Sequence, residues 1–536
     1  MMMERTLLIG LDGATYSALD PLMESGVMPF LRGLTKQGVK AELLSTPNPQ
    51  TAQAWPAMTT GRSPGNTGIF DFVRFEIRQD GPYLTVTDSR DLLSETIWSI
   101  ASRNSRTVTT LNFYGMQPPR PIKGYSVSGF VPFRQMKRAV YPADLYDRMK
   151  ELPSFNAREM AMDLDLEKKC INGLPHEDYD PWIRLHIRRE KQWFELLRHL
   201  MTTAPTDLTA IVFDGVDKLQ HLCWRFIDRA LFPDVPSEWE KNIRELCLDY
   251  FRQLDGFLSE IVTLAGRDAR TFIVSDHGFG TSTEIFYLNA WLHHYGYLHW
   301  TANDSLDKGE SLIVNRMKNH LQMVDWEKTT AYAVTPSSNG IFIKRAPGGS
   351  ENGVRAEEYT QFRRELIDSL LAFRDPQSGE TVVKRIRTRE EAYPGAHAEN
   401  APDLLLTLRD GGFVSILNNE KILKPRSEPV GTHRPEGIFI ASGCGVSSGI
   451  RLEPLSILDV APTVLYSLGI SIPEEFEGRL AAGVFEPSFL STHSLSSAQT
   501  EESSNLAALG TAADHDLEIE AVIFDQLEAL GYYEKG

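Results

Sequence analysis

Residues 271–278 read TFIVSDHG, an apolar run of β-branched and aromatic side chains that stops at an Asp-His pair before glycine. Three more stretches have the same form, LLIGLDG at 7–13, LTAIVFDG at 208–215 and EGIFIASG at 436–443, and VTTLNFYG at 108–115 belongs with them. Short apolar runs bounded by polar turn residues read as strands buried on both faces, as in a parallel sheet. Helical patterns separate them, over 182–201 before LTAIVFDG and over 243–264 before TFIVSDHG. Strands alternating with helices predict an open α/β sheet. Ligands of such sheets bind beyond the carboxyl ends of the strands, which is where Asp12, Asp214, Asp276 and His277 fall. Taken singly, each of these also reads as a turn or capping residue.

Composition limits what the sheet can serve. The chain has 536 residues, 42% hydrophobic and 24% charged, which sets aside bulk disorder and a fibrous architecture. Its formal charge of −17 argues against broad binding of a nucleic-acid polymer. Cys170, Cys223, Cys247 and Cys444 form no CxxC pair, so neither a zinc knuckle nor a disulfide framework is expected. Such usage suits a reducing compartment. The first apolar run ends at Asp12, too soon for a signal peptide, and no stretch approaches the roughly 18 apolar residues of a membrane span. A soluble, cytoplasmic protein is expected.

Residues 72–182 and 280–431 are less regular and richer in Pro, Gly and charge, so they read as insertions that build a cap or rim on a catalytic body spanning 1–490. Residues 491–516, rich in Ser, Thr, Ala and Glu, read as a flexible linker, and 517–536 as a helix that docks on the body.

Four elements carry candidate chemistry. In VDKLQHLCW, residues 216–224, Asp217 and His221 stand four apart, on one face of a helix, where a carboxylate and an imidazole can share a metal ion or merely a solvated contact. Asp276 and His277 can converge on one point in an irregular turn, although neighbours in a regular strand point opposite ways. His433 lies in a Gly/Pro-rich stretch, where exposure is the ordinary expectation. Thr51 opens TAQAWPAMTTG at 51–61, a helix start, so it reads either as an N-cap or as a hydroxyl beside an anion-binding helix terminus.

Together, in type, order and spacing, these elements resemble the alkaline phosphatase superfamily, specifically its type I phosphodiesterase/nucleotide pyrophosphatase branch and the related phosphohydrolase/phosphomutase group. Thr51 stands nine residues before Thr60-Gly61, and GRSPGNTGI at 61–69 continues the match. Further resemblance lies in residues 96–119, 127–132, 288–298, 401–406 and 457–479. It implies an alkaline-phosphatase-like three-layer αβα sandwich with a mostly parallel central sheet and cap insertions. By the same resemblance, Asp217, His221 and His433 hold one divalent metal ion, and Asp12, Asp276 and His277 hold a second, with Thr51 bridging toward it as the nucleophile. Zinc suits the mixed donors, with manganese or iron as alternatives. The backbone N–H of Ala52 is the implied donor to a phosphoryl oxygen.

The implied activity is metal-dependent hydrolysis of a small-molecule phosphodiester or pyrophosphate through a phosphothreonine. A phosphomonoesterase, a phosphotransferase or phosphomutase, and a catalytically silent binding protein are the competing readings. Relatives commonly carry a phosphate-contacting Asn after the Gly-Ile pair, where this chain has Ile69-Phe70-Asp71-Phe72; Arg62 or Arg74 would then supply charge to the substrate. Trp55 and Trp224, close in sequence to the candidates, read as core residues or as stacking surfaces for a substrate ring. Asp214 reads as a turn residue or as a partner orienting a ligand.

Overall fold

The computed structural model describes residues 5–78, 81–161, 175–301, 320–346 and 352–492. In chain order the elements that build the site are strands β1 (Thr6–Leu11) and β2 (Val39–Leu44), helix α1 (Thr51–Thr60), and strands β3 (Val108–Leu111), β4 (Gly124–Val127) and β5 (Val140–Tyr141). Helix α2 (His176–Thr203), β6 (Leu208–Phe213), α3 (Gly215–Ile227), α4 (Glu238–Ala265), β7 (Arg270–Val274) and β8 (Gly278–Tyr287) follow. After a long excursion come β9 (Leu423–Arg434), β10 (Glu436–Gly443) and the short edge strand β11 (Ile450–Arg451).

Across the central sheet the order is β11, β2, β10, β7, β1, β6, β3, β4, β5. The pairs β7–β1, β1–β6, β6–β3 and β3–β4 are all parallel. Alternation along β1 shows why its run is apolar throughout: Leu7, Ile9 and Leu11 enter one core with α2, α3 and α4, whereas Leu8 enters another with Ala52, Trp55 and Met58 of α1. Both faces are covered, so the strand is apolar apart from Thr6, whose hydroxyl is paired with Ser467 Oγ at 2.9 Å. This is the expected three-layer, mostly parallel sandwich.

Two expectations need correction. EGIFIASG is a buried sheet strand, but β10 runs antiparallel to both of its neighbours, β2 and β7. It is entered directly from β9, through Pro435, and so starts at the edge where the parallel strands finish. Burial on both faces made it look parallel, because burial sets the hydrophobic pattern whatever the strand direction. Residues 72–182, expected as cap or rim around the strand at 108–115, supply β4 and β5 as well as β3 to the central sheet, and the hairpin of Val73–Arg78 with Gly81–Val86 forms a two-stranded sheet of its own. The region 280–431 contains a four-stranded antiparallel sheet of Ala331–Tyr332, Gly340–Ile343, Leu404–Leu408 and Val383–Thr388.

The helix read over 182–201 extends through α2, and that over 243–264 is α4, opened by a capping box between Ser237 and Glu240. Ser491 and Thr492 close the short helix Pro487–Thr492; the rest of the expected linker and the expected terminal helix lie outside the described residues. No helix among the described residues is long and apolar enough to cross a membrane.

Candidate metal centre

The six candidate ligands arrive from four strand ends. Asp12 follows β1, its N–H extending the parallel ladder to Phe213 O at 3.1 Å. Asp276 and His277 occupy the bend between β7 and β8. Asp217 and His221 lie on successive turns at the start of α3, directly after β6. His433 does not lie in an exposed loop: it sits in β9, paired with Phe279, and is 2% exposed. Because β10 starts at the site edge, the residues just before it join the same edge.

The side chains converge. His277 Nε2 lies 3.5 Å from Asp12 Oδ1, 3.3 Å from Asp276 Oδ2 and 3.9 Å from Asp217 Oδ1. His433 Nε2 lies 3.1 Å from Asp217 Oδ1 and 3.0 Å from His221 Nε2, and His221 Nε2 is 3.5 Å from Asp217 Oδ1. Two trios have ligand atoms mutually close enough for one ion, Asp12/Asp276/His277 and Asp217/His277/His433. His277 thus stands between the two halves, its ring stacked on that of His433 at a centroid distance of 3.6 Å.

The electrostatics call for positive charge. Burial, reinforced by Asp276 and Asp217, raises the Asp12 carboxyl well above its ordinary range. Asp276 is pushed up to about 8, chiefly by burial. Burial opposes ionisation of Asp217 too, yet the imidazoles of His221 and His433 hold it well below the usual carboxylate value. Burial also lowers His277 and His433, favouring neutral rings. Their Nδ1 atoms face carbonyl oxygens, Gly278 O at 3.1 Å and Pro49 O at 2.9 Å; with a cation bound, Nδ1–H would donate there and each Nε2 would turn its lone pair to the ion, replacing the contact of His433 Nε2 with Asp217. Asp12 Oδ1 and Asp276 Oδ2 are buried without a hydrogen-bond partner. Neutral imidazoles, crowded carboxylates and orphaned oxygens at one point form a donor set that fits divalent cations.

Thr51 joins this centre, with Oγ1 3.3 Å from His277 Nε2. It is the first helical residue of α1; the capping position belongs to Gln50, whose side chain makes no capping bond. The Ala52 amide lies in the same first turn, where N–H groups have no carbonyl four residues back.

The arginines are not drawn in. Arg62 lies past the far end of α1, roughly 16 Å along the axis from Thr51 at about 1.5 Å per residue. Arg74 is on the 73–86 hairpin, half-exposed and paired with Asp91 at 2.6 Å.

Trp55 is a core residue, closed to a substrate ring, whose polar edge reaches a candidate ligand. It stands one turn after Thr51, is 1% exposed, and its Nε1–H donates to Asp12 Oδ2 at 3.0 Å. Gly10 leaves room for the indole, since a Cβ there would lie 2.4 Å from it. The four-residue spacing from Thr51 was the available signal. Trp224 is buried and donates to Thr281 Oγ1 at 3.0 Å. Asp214 sits apart from the ligands, its carboxylate held by Arg189 at 3.2 Å, Lys218 at 3.0 Å and Asn112 at 3.0 Å.

No curated protein matches the chain in sequence. Among solved structures, murine ectonucleotide pyrophosphatase/phosphodiesterase 5 superposes with a TM-score of 0.51 at 13% identity, over 90% of this chain and 100% of that one, a likeness of fold. Phosphonoacetate hydrolase from Sinorhizobium meliloti 1021 gives 0.49 at 16% identity, over 87% and 95% of the two chains. The family model for type I phosphodiesterase/nucleotide pyrophosphatase matches residues 6–436, which span every candidate ligand from Asp12 to His433. The chain belongs to the type I phosphodiesterase/nucleotide pyrophosphatase family and is a phosphohydrolase of that type.

Proposed function

We propose that this phosphohydrolase cleaves a small-molecule phosphodiester or pyrophosphate with Thr51 as nucleophile, at a centre where Asp12, Asp276 and His277 hold one divalent cation and Asp217, His221 and His433 a second. Zinc is the cation the donors favour, with manganese or iron as alternatives. The observation that carries the reading is the convergence of the Thr51 hydroxyl with five buried carboxylate and imidazole groups and the partly exposed His221, two of the carboxylate oxygens having no hydrogen-bond partner. Bound cations supply Lewis acidity to the phosphoryl oxygens and lower the pKa of an oxygen they hold.

The protein groups do the rest. Thr51 gives up its proton to solvent, its Oγ1 forms a bond to phosphorus, and the bond from phosphorus to the leaving oxygen breaks, the leaving group departing with the electron pair as an oxyanion that solvent can protonate. The Ala52 N–H and the positive end of α1 stabilise the negative charge on the phosphoryl oxygens. Water then attacks phosphorus, the Oγ1–phosphorus bond breaks, and Thr51 is regenerated. Trp55 fixes the orientation of Asp12 throughout. The described body acts as one catalytic unit, with the sheet over 331–408 as its cap.

Turnover of bis(4-nitrophenyl) phosphate beside 4-nitrophenyl phosphate, with zinc or manganese added, tests this. The diester is turned over faster, and Thr51→Ala abolishes turnover while retaining bound metal. Normal turnover by Thr51→Ala refutes the nucleophile; activity on the monoester alone replaces the diesterase reading by the monoesterase one.

A further inference from the structure

Segment 45–50, between β2 and α1, touches the metal centre on one side and the inserted sheet on the other. Toward the centre, Ser45 Oγ donates to Asp276 O at 2.6 Å and Pro49 O accepts from His433 Nδ1 at 2.9 Å. Toward the insertion, Asn48 Nδ2 donates to Ser337 O at 2.7 Å and Arg387 Nη2 donates to Pro47 O at 2.6 Å. Asp71 completes this link. Its buried carboxylate accepts from Gln50 Nε2 at 2.6 Å, from Ser337 Oγ at 3.0 Å, from the Phe72 N–H at 2.7 Å and from Thr335 Oγ1. Its own carbonyl accepts from Thr87 Oγ1 at 2.9 Å.

A buried carboxylate is costly to desolvate, and packing alone would be served by an apolar residue. Here the carboxylate draws donors from three separate stretches of chain onto the residue that precedes Thr51. Gln50 O accepts the Ala54 N–H at 2.9 Å as the first bond of α1, so the position of Gln50 sets that of the helix start.

We propose that Asp71 is a positioning residue for phosphoryl transfer: through Gln50 it registers the start of α1, and with it Thr51, against the turn 335–338 of the insertion. The proposal rests on the reading of Thr51 as nucleophile. It makes the insertion part of the catalytic geometry rather than only a cover, because the Asp71 carboxylate, beside the Asn48–Ser337 bond, passes a shift of 335–338 to Gln50 and so to Thr51.

The test is steady-state hydrolysis of bis(4-nitrophenyl) phosphate, per mole of folded, metal-loaded enzyme, with melting temperature and bound metal measured alongside. Asp71→Ala lowers kcat by about 10- to 100-fold with little change in KM, the scale of a misplaced reacting group. Asp71→Asn recovers part of the loss, since its Oδ1 still accepts. A Thr335→Val/Ser337→Ala variant, which cuts the same link from the insertion side and covers the case in which Asp71→Ala does not fold, also lowers kcat. Added to Asp71→Ala it causes no further loss, as expected for two cuts in one connection. Wild-type kcat in either variant, losses that multiply, or a loss accounted for by the unfolded or metal-free fraction overturns the proposal. If instead Thr51→Ala retains full activity, it is the underlying nucleophile reading that fails.

Discussion

Removing the indole N–H that holds Asp12 tests whether the buried surroundings, and not only the ligands, set metal affinity. In Trp55→Phe the ring remains aromatic, but the 3.0 Å bond to Asp12 Oδ2 is lost. Asp12 would then have both oxygens without a protein hydrogen bond, because Oδ1 already has none. A hydrogen bond to a charged acceptor contributes roughly 1.5–3 kcal/mol, and loss of a group that orients a metal ligand typically costs about 10- to 100-fold in affinity, or ~1.4–2.7 kcal/mol. The two scales agree, so the expected result is weaker metal binding by one to two orders of magnitude, measured by competition with a chromophoric chelator. Trp55 also packs edge-on against Phe113, at a centroid distance of 5.3 Å. Phe113→Leu serves as the packing control: it lowers the melting temperature but leaves metal affinity unchanged. Wild-type affinity in Trp55→Phe, or an equal loss in Phe113→Leu, would refute the argument that the hydrogen bond orients the ligand.

Two further outcomes follow from the buried charges. Burial and the neighbouring Asp214 raise Glu190 to about 8, so the folded protein holds this proton more tightly than the unfolded chain. The contribution of Glu190 to stability is therefore complete below its ordinary pKa of 4.5 and is lost as pH rises through about 8. Glu190→Gln, which can still accept the 2.6 Å bond from Gly215 N, should flatten that decline in denaturant unfolding measured with metal present; an unchanged pH slope counts against it. Chelation should lower the melting temperature of the wild type, since metal present at about 100 times its Kd stabilises the folded state by ~2.7 kcal/mol. An unchanged melting temperature in excess chelator would show that the carboxylate cluster folds equally well without a cation.

The site was legible in the sequence to the extent that it depends on strand ends. Asp12 and the Asp276-His277 pair each follow a predominantly apolar run, and the four-residue spacing of Asp217 and His221 carried its own geometry. Orientation was not legible. The sequence 436–443 is as apolar for an antiparallel strand as for a parallel one, so the route that buries His433 could not be read from it. Trp55 is a further case: its hydrogen bond to Asp12 depends on the absence of a side chain at Gly10, a contact between two elements that no local pattern records. The role of residues 72–182 was obscured because β4 and β5 are short and lie toward the sheet edge, where the hydrophobic signal is weak.

The reversed direction of β10 also fixes an order of completion. The trio Asp12, Asp276 and His277 is available once β1 and β7 have paired, whereas His433 arrives only after the chain has built the inserted sheet and returned along β9. Closing so long a loop adds little entropy per extra residue, but it makes the last ligand a non-local one. Half of the centre can therefore form early in synthesis while the other half waits for the insertion. A complete set of candidate ligands therefore requires nearly the whole body to have folded.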